Sequence, residues 1–111
     1  MQEVVNFDAM ECQFNDATLS TIIEQALVYQ CACPAQIAEL LLEMRRNKQY
    51  EDSCLENQND HLAVTHRKIS EAVTEAHIIL ERCLDEVLDH EGWDRSTFKM
   101  PADLRPKSEG N

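Results

Sequence analysis

The sequence predicts an all-α fold: an antiparallel helical bundle of three main helices, at about 16–31, 34–49 and 61–90, with an N-terminal arm and an irregular C-terminal tail. Three observations carry this. The 111 residues include only two glycines and three prolines, too few turn-formers for a sheet-rich chain. Glu, Leu, Ala, Gln and Arg, all good helix formers, are plentiful. Apolar residues recur at helical spacing in three segments.

Residues 1–14 are weakly patterned, and Val5, Phe7, Met10, Cys12 and Phe14 suit an extended arm or a short helix against the core. Asn15 or Asp16 is a plausible N-cap for the first helix. Leu19, Ile22, Ile23, Ala26 and Gln30 then share one stripe. Pro34 punctuates the chain: the residue before a proline is pushed out of the α region, and proline itself suits a helix's first turn. Cys31-Ala32-Cys33-Pro34 therefore reads as a corner, with Cys33 extended. The second helix carries Ile37, Leu40, Leu41 and Met44 on one face. Arg45, Arg46 and Lys48 suit its C-terminal dipole.

Residues 50–60 are polar and read equally as loop or further helix. Asp60 is a candidate N-cap for the third helix, whose apolar stripe includes Leu62, Ile69, Val73, Ala76, Leu80, Cys83, Leu84 and Val87. Gly92 is placed to end it. Beyond it, periodicity stops. Residues 1–93 are expected to form one helical bundle domain and 94–111 an irregular tail, from which Trp93, Phe98 and Met100 suit packing back on the bundle.

Net charge excludes several function classes. The formal charge is −11, and residues 94–111 hold three acids and four bases, which leaves −12 on residues 1–93. Such a body repels phosphate, so no nucleic acid and no anionic membrane is expected as a partner. No apolar run approaches the roughly 20 residues that span a bilayer. The first 14 residues lack the basic start and apolar run of a secretory signal, and the five cysteines are an odd number. The expected location is cytoplasmic, with reduced thiols.

The sharpest chemical hypothesis is a metal site. If the second and third helices are antiparallel, a climb of about 16 residues brings His77, Leu80 and Cys83 level with the corner. Cys31, Cys33, His77 and Cys83 would then offer thiolate and imidazole ligands for zinc, copper(I) or an iron–sulfur cluster. Cys12 and Cys54 fall at the opposite end. The competing reading, five ordinary reduced cysteines and no cofactor, is preferred. Among these thiols, Cys33 alone sits where a helix N-terminus lowers a thiol pKa.

No HExxH, CxxC, P-loop or GxSxG motif is present, and no Glu has a His three residues later, so no enzyme is expected. The acids of the third helix, Glu71, Glu75, Glu81, Asp85 and Asp89, read as a solvated face. Val28, Leu42 and Ile78 point about 140–180° from their helices' stripes and are candidates for a partner surface. The expected function is a protein-interaction or accessory module that binds a protein partner or forms a homodimer, with metal binding at the corner as the alternative.

Overall fold

The computed structural model describes residues 5–7, 10–25, 33–57 and 62–102. The arm is a small antiparallel hairpin. Strand β1 (Val5–Phe7) pairs with β2 (Met10–Cys12) in the register Val5↔Cys12, Asn6↔Glu11, Phe7↔Met10. Three helices follow, α1 (Asp16–Gln25), α2 (Cys33–Asn57) and α3 (Leu62–Glu91). The protein is mostly helical, as the sequence predicts, and the helices pack on one another.

Asn15 caps α1: its Oδ1 accepts the Thr18 N–H at 2.8 Å, satisfying one of the amides that a helix start leaves without a partner. Asn15→Ala is expected to cost about 1 kcal/mol, read as a lower urea midpoint with an unchanged slope. The predicted end of α1, residues 26–31, lies outside the described residues, as do Cys31 and Val28. Helix α2 opens at Cys33, so that residue is helical rather than extended, with the buried Pro34 in its first turn. It then runs eight residues past the predicted end at 49. The reason is tertiary. Glu51 and Asp52 are held by side chains of α3 and of α2 itself, which stabilise a segment whose own propensity is modest. Helix α3 closes on Gly92 at φ 81°. The Trp93 N–H reaches Leu88 O at 3.0 Å and the Gly92 N–H reaches Asp89 O at 3.1 Å, the paired bonds of a glycine C-terminal cap.

The core comprises Phe14, Leu19, Ile22, Ala38, Leu41, Leu84, Leu88, Trp93 and Met100. It sits where α1, the first half of α2, the second half of α3 and the segment 93–100 meet. Trp93 and Met100 do pack back, and Phe98 meets Phe14 edge to face at 6.1 Å between ring centroids. Arg95 stacks over both rings and pairs with Asp85 and Asp89. Met100 N–H reaches Gln25 Oε1 at 3.0 Å, tying this segment to α1. Leu42, expected to point outward, is half-buried against the core.

The buried sides of both long helices are offset from the predicted stripes. In α3 they are Ser70, His77, Glu81, Leu84 and Leu88. Apart from Leu84, already assigned to the stripe, each is one residue on from a predicted position, a rotation of about 100°. In α2 the buried Ala38 and Arg45 likewise follow Ile37 and Met44, while Leu41, already on the predicted face, is buried as expected. Glu81, expected on a solvated face, is buried.

Candidate functional site: a buried polar cluster and an uncovered apolar face

Arg45 organises the interior of the molecule. Its Nη1 donates to Asp16 Oδ1 at 2.6 Å, and its Nη2 to Phe14 O at 2.6 Å and to Glu81 Oε2 at 3.1 Å. Its Nε donates to His77 Nε2 at 3.0 Å. Glu81 also accepts the Gln13 N–H, at 2.9 and 2.8 Å to its two oxygens, and the Phe14 N–H at 3.1 Å. One guanidinium and one carboxylate thus hold the end of the arm, the start of α1, α2 and α3 together. Both are buried, and each is compensated by the other and by backbone groups, as buried charges must be.

A second polar layer lies farther along α2 and α3. Lys48 Nζ donates to Ser70 Oγ at 2.7 Å and pairs with Asp52 at 3.0 Å, while Ser70 donates to Asp52 Oδ1 at 2.8 Å. His66 Nδ1 meets Glu51 Oε1 at 2.6 Å. From Arg45 through Lys48 to Glu51, the α3 partners descend from His77 through Ser70 to His66, so these stretches run in opposite directions.

The cluster around Arg45 has the residue types of a reactive site. Cys12 Sγ, a His77 ring nitrogen and a Glu81 oxygen all lie within 4.8 Å of one another, the group among the described residues whose spacing suits a metal ion. The hydrogen bonding opposes that use. The Arg45 Nε cannot lose its proton, so His77 Nε2 must be the acceptor and the neutral ring carries its hydrogen on Nδ1. Burial, aided by the Arg45 charge, pushes His77 down to about 4 and keeps the ring neutral near pH 7. Burial also pushes the Cys12 thiol up to about 11, outweighing Arg45, with Glu81 and Asp16 acting in the same direction as burial. A cation here would have to displace the Cys12 and His77 protons beside a fixed guanidinium. The cluster is built as a latch on the arm. His77 Nδ1 has no hydrogen-bond partner among the described residues, and Glu81 Oε1 stands 3.8 Å from it.

The proposed corner site is not assembled from the residues in view. Because α2 is eight residues longer than expected, α3 has further to climb. His77 is level with Arg45, about 18 Å along α2 from Cys33 at 1.5 Å per residue. Cys33 is exposed, Cys83 is half-buried, and Cys31 lies outside the described residues. Cys12, expected at the far end of the bundle, lies instead beside His77.

The one-residue offset has a second result. The predicted stripe of α3 is only partly covered: Leu62 is 43 % and Ile69 38 % exposed, Val73, Ala76, Leu80, Cys83 and Val87 are half-buried and Leu84 is in the core, while Ile79, off the stripe, is 61 % exposed. On α2, Leu40 is 51 % exposed. Since the two helices run oppositely, the same offset on each turns both stripes toward the same side of the pair. The other side is covered by the arm and α1 through Arg45 and Glu81. Ile78, 44 % exposed, lies on neither the buried side nor the stripe. Sequence reasoning took the stripe for core, which holds for Leu84 and in part for Leu80 but not for Leu62 and Ile69; the buried Arg45, His77 and Glu81 gave no apolar signal of the inner side.

No protein family, curated protein or solved structure matches the chain.

Proposed function

We propose that this chain is a protein-interaction module, an antiparallel bundle of three helices that engages its partner through the uncovered apolar side of α2 and α3. The observation that carries the reading is the exposure of large apolar side chains on the two long helices, among them Leu40, Leu62, Ile69 and Ile79. Single exposed apolar residues are ordinary, and Leu62 and Ile69, seven residues apart on one line of α3, are the pair that a partner helix could span. Their helical spacing suits a helix or helix pair laid alongside them, with apolar anchors at the centre and charges at the rim. No helix among the described residues is long and apolar enough to cross a membrane, so the stripe is not read as a lipid-spanning face.

The opposite face of the reading is chemical inertness at the Arg45 cluster. Apart from His77 Nδ1, its donors and acceptors serve one another, its thiol stays protonated, and its imidazole stays neutral. That suits a structural latch better than acid–base or nucleophilic work.

A photo-crosslinking amino acid at position 79, compared with one at the exposed position 49, tests the reading in cell extract. Position 79 is expected to give discrete adducts, to another protein or to a second copy, that position 49 does not. Equal labelling at both positions, or none at 79, would overturn it.

A further inference from the structure

We infer that the part of the α2–α3 hairpin beyond the Arg45–His77 level, residues 46–57 with 62–76, is a conformational device that opens as a unit while the bundle stays folded. Two polar clasps set its closure. The uneven division of burial along the two helices carries this.

On the bundle side of that level the helices meet through apolar side chains. Ala38 and Leu41 of α2 and Leu84 and Leu88 of α3 are fully buried, in one cluster with Leu19 and Ile22 of α1. Helix α1 stays on that side, since Arg45 holds Asp16 at its start and the Met100 amide holds Gln25 at its end.

Beyond the level the division reverses. Among the described residues of 46–76, the buried ones are Lys48, Glu51 and Ser70, all polar. Tyr50, Leu62, Val64 and Ile69 are exposed there, and Ala63, Val73 and Ala76 are half-buried. Two polar groupings bridge the helices: Lys48 with Ser70 and Asp52, and Glu51 with His66.

The two parts therefore differ in what opening costs. Parting the bundle exposes fully buried leucines, a loss that scales with apolar area. Parting the far hairpin exposes charged and hydroxyl groups whose hydrogen bonds water replaces, so the net cost of each is modest. Segments with few buried apolar contacts open ahead of the rest of a structure. Arg45 marks the boundary. Asp16, Phe14 O, Glu81 and His77 all accept from it, and freeing it would strand a buried charge.

Hydrogen exchange of the full chain under native conditions, in low concentrations of urea, tests the inference. The amides of 50–54 and 67–72 are expected to exchange about 100-fold faster than those of Leu41 and Leu84, with one shared urea slope. Rates that fall steadily with distance from the helix ends would mean fraying and would overturn it. Ile22→Val, a mild change inside the bundle, is expected to speed exchange at Leu41 and Leu84 about fivefold and to leave 50–54 and 67–72 unchanged. An equal rise at both places would reveal one cooperative unit and overturn the inference too. His66→Ala, which leaves the buried Glu51 without its cross-helix partner, is expected to speed exchange at 50–54 and 67–72 about tenfold. Unchanged rates there would remove the clasps, and the device with them.

Discussion

Glu81→Ala is expected to destabilise the protein by about 3–5 kcal/mol, the usual cost of removing one member of a buried ion pair. The carboxylate accepts the Gln13 and Phe14 amides and one Arg45 nitrogen, so its loss leaves two arm amides and part of a buried guanidinium without partners. Asp16, Phe14 O and His77 still hold Arg45, which keeps the cost below that of an isolated buried charge. Urea unfolding gives the size of the loss, and hydrogen exchange gives its place: the amides of Gln13 and Phe14 should exchange faster than those of the α1 interior. A loss under about 1 kcal/mol would mean that the latch contributes little to stability. The double change Arg45→Met with Glu81→Leu should recover much of the deficit, because replacing a buried pair by apolar groups of similar volume is often neutral.

Acid should weaken the fold through His77. Its folded pKa is lowered to about 4 from 6.5, by burial first and by the Arg45 charge second. Below pH 6.5 the unfolded chain binds a proton that the folded chain refuses, so stability is full above that value and falls as pH drops toward 4. The loss from this one group is roughly 2–3 kcal/mol at pH 4.5. Other groups titrate in the same window, so the comparison that isolates His77 is His77→Gln, whose amide oxygen still offers Arg45 an acceptor. Denaturant unfolding at pH 7 and at pH 4.5 should show a smaller drop in the variant than in the wild type. Equal drops would place the acid sensitivity elsewhere.

The sequence by itself determined the helical class and most of its punctuation. Asn15, one of the two caps the sequence offered, opened the first helix because a short polar side chain satisfies an amide at a helix start. Gly92 ended α3 because the reversal there requires a positive φ. Pro34 fixed the beginning of α2 to within a residue, and Trp93 and Met100 announced their burial by being large and apolar outside any helix. The apolar stripes themselves were also legible, since helical periodicity is a local property.

Only the tertiary structure decided which flank of each stripe faces inward. That choice rests on contacts between residues distant in the chain: Arg45 with Glu81, with His77 and with Asp16, and Glu81 with the amides of Gln13 and Phe14. A charged residue inside a helix reads as solvated unless its partner is known, because burial is tolerable only when a matching group arrives from elsewhere. So Arg45 looked like a C-terminal dipole partner, Glu81 like part of an acidic face, and α2 stopped eight residues short. The same polar pairs claim the inner side of α2 and α3, so Leu62 and Ile69 of the apolar stripe reach the surface while Leu84 stays in the core. The inner side is set by which groups find partners and not by hydrophobicity alone.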